Sequence, residues 1–361
     1  MVEYDKLFAI APYSLNRQEK EELLGQIIGG LTEFHYDHCV EYRRILDALG
    51  VRRGQVRSLV EVPFLPVRLF KEYELRSVGS ETVVKTMTSS GTTGQAVSRI
   101  YLDREAAAIQ SKVLAKIVAS SIGSARLPMI ILDSSAVVKS RSEFSARAAG
   151  IRGFSMFARD QVFALNDEMQ LDRAALEQFL AKHAGSPFLL FGFTFMIWKH
   201  FFKTLKDLGL RFDLSQGILI HGGGWKALAS EAVSPAKFKE GLNDVCGLKS
   251  QNIRDYYGMV EQTGTIHMEC EHGHLHTSIY GDVIIRRHTD FRPVAPGETG
   301  IIHVLSVLPR SYPGHSLLTE DEGLYLGEDD CACGRLGKYF RVIGRLRNAE
   351  TRGCGDAYAS R

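Results

Sequence analysis

The sequence predicts an α/β fold built around a mostly parallel sheet, followed by a smaller β-rich lobe. Three observations carry this. Between residues 103 and 248, short apolar runs alternate with stretches of helical periodicity, the pattern of a parallel sheet covered by helices. The glycine-rich motifs fall just after apolar runs, where loops gather beyond the carboxyl ends of strands. From about residue 281 onward the apolar runs become shorter and turn-rich.

Residues 1–60 read as an N-terminal helical segment packed on the main domain. Ser14-Leu15-Asn16-Arg17-Gln18 is suited to cap a helix start. Leu23, Leu24, Ile27, Ile28 and Leu31 follow at helical spacing, the pattern runs on to Leu46 and Leu49, and Gly50 ends it. His35, Tyr36, His38 and Cys39 read as helix packing and surface. Residues 61–280 read as the α/β core. Pro63-Phe64-Leu65-Pro66-Val67 enters it extended, because proline disfavours helix at the residue before it. Strand-like runs at Thr82-Val83-Val84 and over residues 97–102 flank a polar loop. A helix fits residues 103–122, a strand 128–133, a helix 172–183 and a strand 188–191. A helix over 195–208, a strand over 217–220 and a largely helical stretch over 227–248 complete the alternation. Residues 281–345 form the β-rich lobe, with strands at Val283-Ile284-Ile285, 300–305 and 339–343, and residues 346–361 form a short tail.

Composition excludes several classes. The chain has 361 residues, 45% hydrophobic and 24% charged, with a net charge of +2. That is a globular composition without the basic runs that bind nucleic acid or membrane surfaces. The first residues are charged, unlike a signal peptide. No apolar run reaches the roughly 18 residues of a membrane span. Six cysteines show no disulfide-framework spacing, so a cytoplasmic location is expected.

The polar loop reads Thr86-Met87-Thr88-Ser89-Ser90-Gly91-Thr92-Thr93-Gly94. Glycines let backbone approach a ligand, successive N–H groups form an anion nest, and hydroxyls add uncharged donors. A polar hairpin turn has the same composition. Ser90-Gly91-Thr92-Thr93-Gly94 resembles the phosphate loop of the adenylate-forming superfamily. These enzymes activate a carboxylate with ATP, giving an acyl-adenylate and pyrophosphate. The resemblance implies that Ser89, Ser90, Gly91, Thr92, Thr93 and Gly94 bind ATP, with Thr88 among the catalytic residues. One departure is visible: the family loop often carries a lysine soon after its last glycine, and here the next basic residue is Arg99.

Four further motifs follow in the family's order. His221-Gly222-Gly223-Gly224-Trp225-Lys226 suits a flat ligand lying on bare backbone, and equally a strand-to-helix turn. By resemblance Gly222, Gly223 and Gly224 border the adenine. The segment is also similar to that of the acyl-protein synthetases of bacterial bioluminescence. Tyr256-Tyr257-Gly258-Met259-Val260-Glu261 resembles the family's Tyr-Gly-x-x-Glu motif. This implies that Tyr257 and Gly258 flank the base and that Glu261 holds the Mg²⁺ that travels with ATP. Leu318-Thr319-Glu320-Asp321-Glu322-Gly323 reads alone as an acidic turn. By resemblance Asp321 clamps the ribose hydroxyls, and Arg345 of Ile343-Gly344-Arg345 reaches the nucleotide. Most members continue for about 100 residues as a lid. Only sixteen residues follow Arg345 here, so the chain is expected to be the large N-terminal domain of such an enzyme without most of the lid, as in the bioluminescence branch.

Cysteines supply two more features. Cys270-Glu271-His272-Gly273-His274-Leu275-His276 and Cys331-Ala332-Cys333-Gly334 together offer three thiols and several imidazoles. Three thiolates and one imidazole make a closed tetrahedral zinc set, and free cysteines beside surface histidines are the alternative. Resemblance to phenylacetate-CoA-ligase-like relatives makes His276 the fourth ligand with Cys270, Cys331 and Cys333, and His272 the second choice. Near the end, Arg352-Gly353-Cys354-Gly355 presents a thiol between glycines, its thiolate favoured by Arg352. In the bioluminescence synthetases a cysteine near the C-terminus accepts the acyl group and passes it to a partner reductase. Cys354 matches that position, and an incidental tail cysteine is the other reading.

The resemblance spans roughly residues 60–355. It implies ATP-dependent activation of a carboxylic acid, read from the branch as a fatty acid, then transfer to a thiol. An aryl- or acyl-CoA ligase of the phenylacetate type is the alternative, and a nucleotide-binding protein without catalysis is the third.

Overall fold

The computed structural model describes residues 4–54, 56, 58–89, 97–139 and 146–346. Ser90, Gly91, Thr92, Thr93, Gly94 and Cys354 lie outside the described residues. The strands are β1 (Leu65–Pro66), β2 (Val83–Thr88), β3 (Arg99–Asp103), β4 (Leu127–Ser134), β5 (Ala158–Leu165), β6 (Phe188–Phe193) and β7 (Gly217–Gly222). They continue as β8 (Ile253–Tyr257), β9 (His267–Glu269), β10 (Leu275–His276), β11 (Gly281–Arg286), β12 (Thr299–Ser306), β13 (Ser316–Glu328) and β14 (Lys338–Arg345). Chain contacts group them into two units, one of them Ile122–Tyr256 and the other built from the remaining described residues.

The unit Ile122–Tyr256 carries a parallel sheet in the order β5-β4-β6-β7-β8. Strands β4 and β6 are buried along nearly their whole length, which is why they read as unbroken apolar runs. Asp172 caps the helix Arg173–Lys182 by accepting from the Ala175 N–H. The helix after β6 starts at Thr194 and passes through a π-helical stretch, Ile197–Phe202. Its Trp198, Phe201 and Phe202 join Ile130, Leu190, Leu219 and Phe238 in one core. Residues 227–248, expected to be largely helical, are so in two pieces, a 3-10 helical stretch over Lys226–Glu231 and an α-helix over Pro235–Cys246. Ser234 is extended and caps that helix, Pro235 opens it, and Gly247 closes it in the left-handed conformation.

The other unit holds an antiparallel sheet, β11-β12-β13-β14-β10-β9, with β1 added in parallel to β13. A separate hairpin pairs β2 with β3. Asn16 and Glu19 form a reciprocal capping box at the start of the helix Arg17–His38. The long helix expected here is broken at Cys39, which is extended, and resumes as Val40–Ala48. Gly50, with φ 70°, follows its end. No helix among the described residues is long and apolar enough to cross a membrane.

His35 is packed inside rather than placed on the surface. Its Nδ1 lies 2.7 Å from Ser77 Oγ and its Nε2 2.9 Å from the Pro309 carbonyl. Its ring stacks on His315 at 5.0 Å, with Tyr42 edge-on to both. Burial depresses the His35 pKa to about 3 and holds His315 well below the ordinary value. The unfolded chain therefore binds protons that the folded chain refuses once pH falls below about 6.5. Stability is full above that pH and is lost on acidification, by ~1.4 kcal/mol per pH unit for each such histidine. Urea unfolding at about pH 7.5 and about pH 5 is expected to show a lower midpoint in acid. An unchanged midpoint would contradict neutral buried imidazoles.

Candidate functional site

In the antiparallel sheet, the register of β13 on β14 sets Asp321 opposite Arg345. Their side chains meet, with Arg345 Nε 3.5 Å from Asp321 Oδ1. The Tyr257 hydroxyl donates to Asp321 Oδ2 at 2.8 Å. Each carboxylate oxygen has a further lone pair, so both can still accept from a pair of ligand hydroxyls. Burial raises the Asp321 pKa, with Tyr257 and Arg345 acting against it. Burial and the nearby Asp321 charge also push the Tyr257 phenol well up, so it remains a donor. Gly258 leaves room for its neighbour, since a β-carbon there would lie 2.9 Å from Ile266. Glu261 is buried in the single turn Val260–Gln262, and Tyr312 donates to its carbonyl at 2.9 Å.

At the loop end of the β2–β3 hairpin, Thr88 pairs with Arg99. Ser89 and Ser98 close the hairpin: the Ser89 N–H donates to the Ser98 carbonyl at 3.2 Å, and Ser89 Oγ accepts from the Ser98 N–H at 2.9 Å. Ser89 thus holds the base of the loop expected to bind phosphate.

In the parallel sheet, Gly222 ends β7, and Gly223 (φ 83°) and Gly224 (φ 60°) turn the chain in the left-handed region that glycine favours. A β-carbon on Gly222 would sit 2.7 Å from the Tyr256 ring. That ring lies beside Phe154 (5.3 Å) and Phe191 (6.5 Å). Sequence reasoning singled out Tyr257 and passed over Tyr256. Strand alternation sends successive side chains to opposite faces, so the two tyrosines have different tasks. Phe191, Phe193, Phe195, Met196 and Trp198 are all core residues.

The cysteine-rich segments meet at one end of the antiparallel sheet. Cys270 follows β9 directly, and Gly273 (φ 78°) turns the chain back into β10. Cys331 and Cys333 sit in the turn between β13 and β14, where the Gly334 N–H donates to the Cys331 carbonyl at 2.9 Å. The ligand atoms of Cys270, His276, Cys331 and Cys333 all lie within 4.8 Å of one another. His276 Nε2 is 3.3 Å from Cys333 Sγ, and its Nδ1 is buried without a hydrogen-bond partner. His272 is exposed and outside this group. Burial keeps His276 neutral, with a pKa near 3, and pushes the Cys331 thiol up to about 12. Two buried sulfurs, a half-buried third and a neutral imidazole with an orphaned nitrogen fit a four-coordinate metal. Sequence reasoning missed the groups around this set. His274 Nδ1 is 3.4 Å from Cys331 Sγ, and the Arg335 guanidinium binds Glu271 at 2.8 Å while covering the Tyr13 ring.

The fold defines the class. It is that of the adenylate-forming ligases: the chain superposes on 2-hydroxyisobutyryl-CoA ligase, solved in an open conformation with 2-HIB-AMP and CoA, with a TM-score of 0.70. The match covers 94% of this chain and 78% of that one at 16% identity. The chain belongs to the acyl-protein synthetase family, LuxE, which it matches over residues 2–361. Among its relatives is the long-chain-fatty-acid–luciferin-component ligase of Aliivibrio fischeri, 23% identical over 99% of this chain and 93% of the relative. The Vibrio harveyi ligase of the same name is 22% identical over 97% of this chain and 91% of the relative. Family and fold together make this chain an acid-activating enzyme of the adenylate-forming class.

Proposed function

We propose that the protein joins a long-chain fatty acid to ATP as an acyl-adenylate and then passes the acyl group to Cys354. The meeting of Asp321, Tyr257 and Arg345 carries the nucleotide part of this reading. Asp321 accepts the two ribose hydroxyls, Tyr257 fixes the carboxylate, and Arg345 balances its charge. Gly222, Gly223 and Gly224 lie against the base. Thr88, Ser89, Ser90, Gly91, Thr92, Thr93 and Gly94 bind the phosphates. Glu261 is the residue for Mg²⁺, which when bound neutralises charge developing on the phosphates. The substrate class rests on the names of the two relatives.

In the first step a carboxylate oxygen attacks the α-phosphorus, and pyrophosphate leaves. In the second, the Cys354 thiolate attacks the acyl carbon, a thioester forms and AMP leaves. The thioester then serves a reductase-type partner in the cytoplasm. Zinc held by Cys270, His276, Cys331 and Cys333 ties two turns of the antiparallel sheet and takes no part in the chemistry.

Incubation with ATP, Mg²⁺ and tetradecanoate is expected to add one acyl mass to the protein, removable by neutral hydroxylamine. Cys354→Ser should keep pyrophosphate exchange and lose the adduct, because a serine hydroxyl is a far weaker nucleophile than a thiolate. Exchange without any adduct, together with acyl-CoA formed on adding CoA, would point to the CoA-ligase alternative.

A further inference from the structure

We infer that Thr194 and His221 are positioning residues that hold the Gly222–Gly224 turn in place, an inference that rests on the proposal that this turn borders the base of ATP. Both residues are buried. Strands β6 and β7 pair in parallel with Gly192 opposite His221 and Phe193 opposite Gly222. Thr194, the next residue after β6, therefore stands level with the end of β7. Its hydroxyl donates to the Gly222 carbonyl at 3.2 Å, and the same oxygen lies 3.0 Å from His221 Nδ1.

A hydroxyl has a single hydrogen. With that hydrogen on the Gly222 carbonyl, Thr194 Oγ1 must accept from an Nδ1–H of His221. The Asp255 carboxylate, 3.7 Å from Nδ1, favours a proton on the same nitrogen. The imidazole stays neutral, since burial depresses its pKa to about 3. Its Nε2 is then a bare acceptor, buried without a hydrogen-bond partner, and the ring lies 4.8 Å from Phe238. The tautomer is set by one relay: His221 donates to Thr194, and Thr194 donates to Gly222.

This relay acts where the sheet hands over to the turn. Gly223 and Gly224 are exposed and conformationally free. Gly222 is held at its carbonyl by Thr194, while the Tyr256 ring leaves no space for a side chain on its α-carbon. The direction of the Gly222 carbonyl fixes the peptide plane that enters the turn, and so the surface offered to a flat ligand.

The test is calorimetric titration with ATP and Mg²⁺, which needs no acid substrate. Thr194→Val keeps the shape and removes both bonds. It is expected to raise the Kd for ATP about tenfold, the loss of about one hydrogen bond's worth of ordering. Thr194→Ser restores the hydroxyl and should bind within about twofold of the parent. His221→Asn, whose amide N–H takes the place of Nδ1–H, should follow Thr194→Ser, and His221→Leu should follow Thr194→Val. Recovery by the hydroxyl and amide variants separates this role from simple packing. Gly222→Ala is the reference, expected to weaken ATP binding. Parent-like affinity in Thr194→Val, with weakened binding in Gly222→Ala, would overturn the relay alone. Unchanged affinity in Gly222→Ala would overturn the base assignment and the relay with it.

Discussion

Asp321→Ala is expected to lower kcat/KM for ATP in pyrophosphate exchange by about 100-fold. Two hydroxyl-to-carboxylate hydrogen bonds disappear, each contributing about 1.5 kcal/mol or more, and ~3 kcal/mol corresponds to roughly two powers of ten. Arg345 and Tyr257 lose their shared partner as well. Because Arg345 is partly exposed, water can replace that ion pair at little cost to folding. Asp321→Asn separates the contributions: it keeps an acceptor for Tyr257 but not the charge facing Arg345. Protection of the fold by ATP gives a second readout, since a ligand that binds only the folded state raises the unfolding temperature by mass action. An alanine variant protected by ATP as well as the parent is would remove Asp321 from the nucleotide site.

Cys331→Ser combined with Cys333→Ser is expected to abolish a metal content of about one zinc per chain and to lower the unfolding temperature by about 6 °C. Metal affinity in a closed site is folding free energy, because the unfolded chain offers no preformed cage. Two of four ligands vanish, and the turn between β13 and β14 loses its tie to the β9–β10 turn. A loss of about 4–5 kcal/mol corresponds to roughly 6 °C in a chain of this size. His272→Ala should leave metal content intact, since His272 is exposed and outside the cluster, whereas His276→Ala should reduce it. Metal-free protein of parent stability would refute the zinc assignment.

Much of the architecture was legible in the chain itself. The apolar runs of β4, β6 and β7 and the capped helices between them fixed the parallel unit, because both signals are local. The capping box at Asn16 and the stop at Gly50 were readable for the same reason. Strand β13 was not. Its Glu320, Asp321 and Glu322 look like a surface turn, yet they lie within a strand of 13 residues. Pairing with β12 and β14 decides that, and the partner residues are distant in sequence. The break at Cys39 was hidden too, since the apolar periodicity continues across it.

The sequence by itself determined the kinds of group present and their order: the glycine turn after an apolar run, the acid before its arginine, and the cysteines in two clusters. These depend on residue identity and near neighbours, which a one-dimensional pattern retains. Only the tertiary structure decided which groups meet. The register of β13 on β14 put Asp321 against Arg345. The pairing of β10 with β9 and β14 chose His276 over His272. The parallel register of β6 and β7 brought Thr194 to His221 and Gly222. A shift of one residue in any of these would turn the side chain to the opposite face, and register is fixed by packing between strands far apart along the chain.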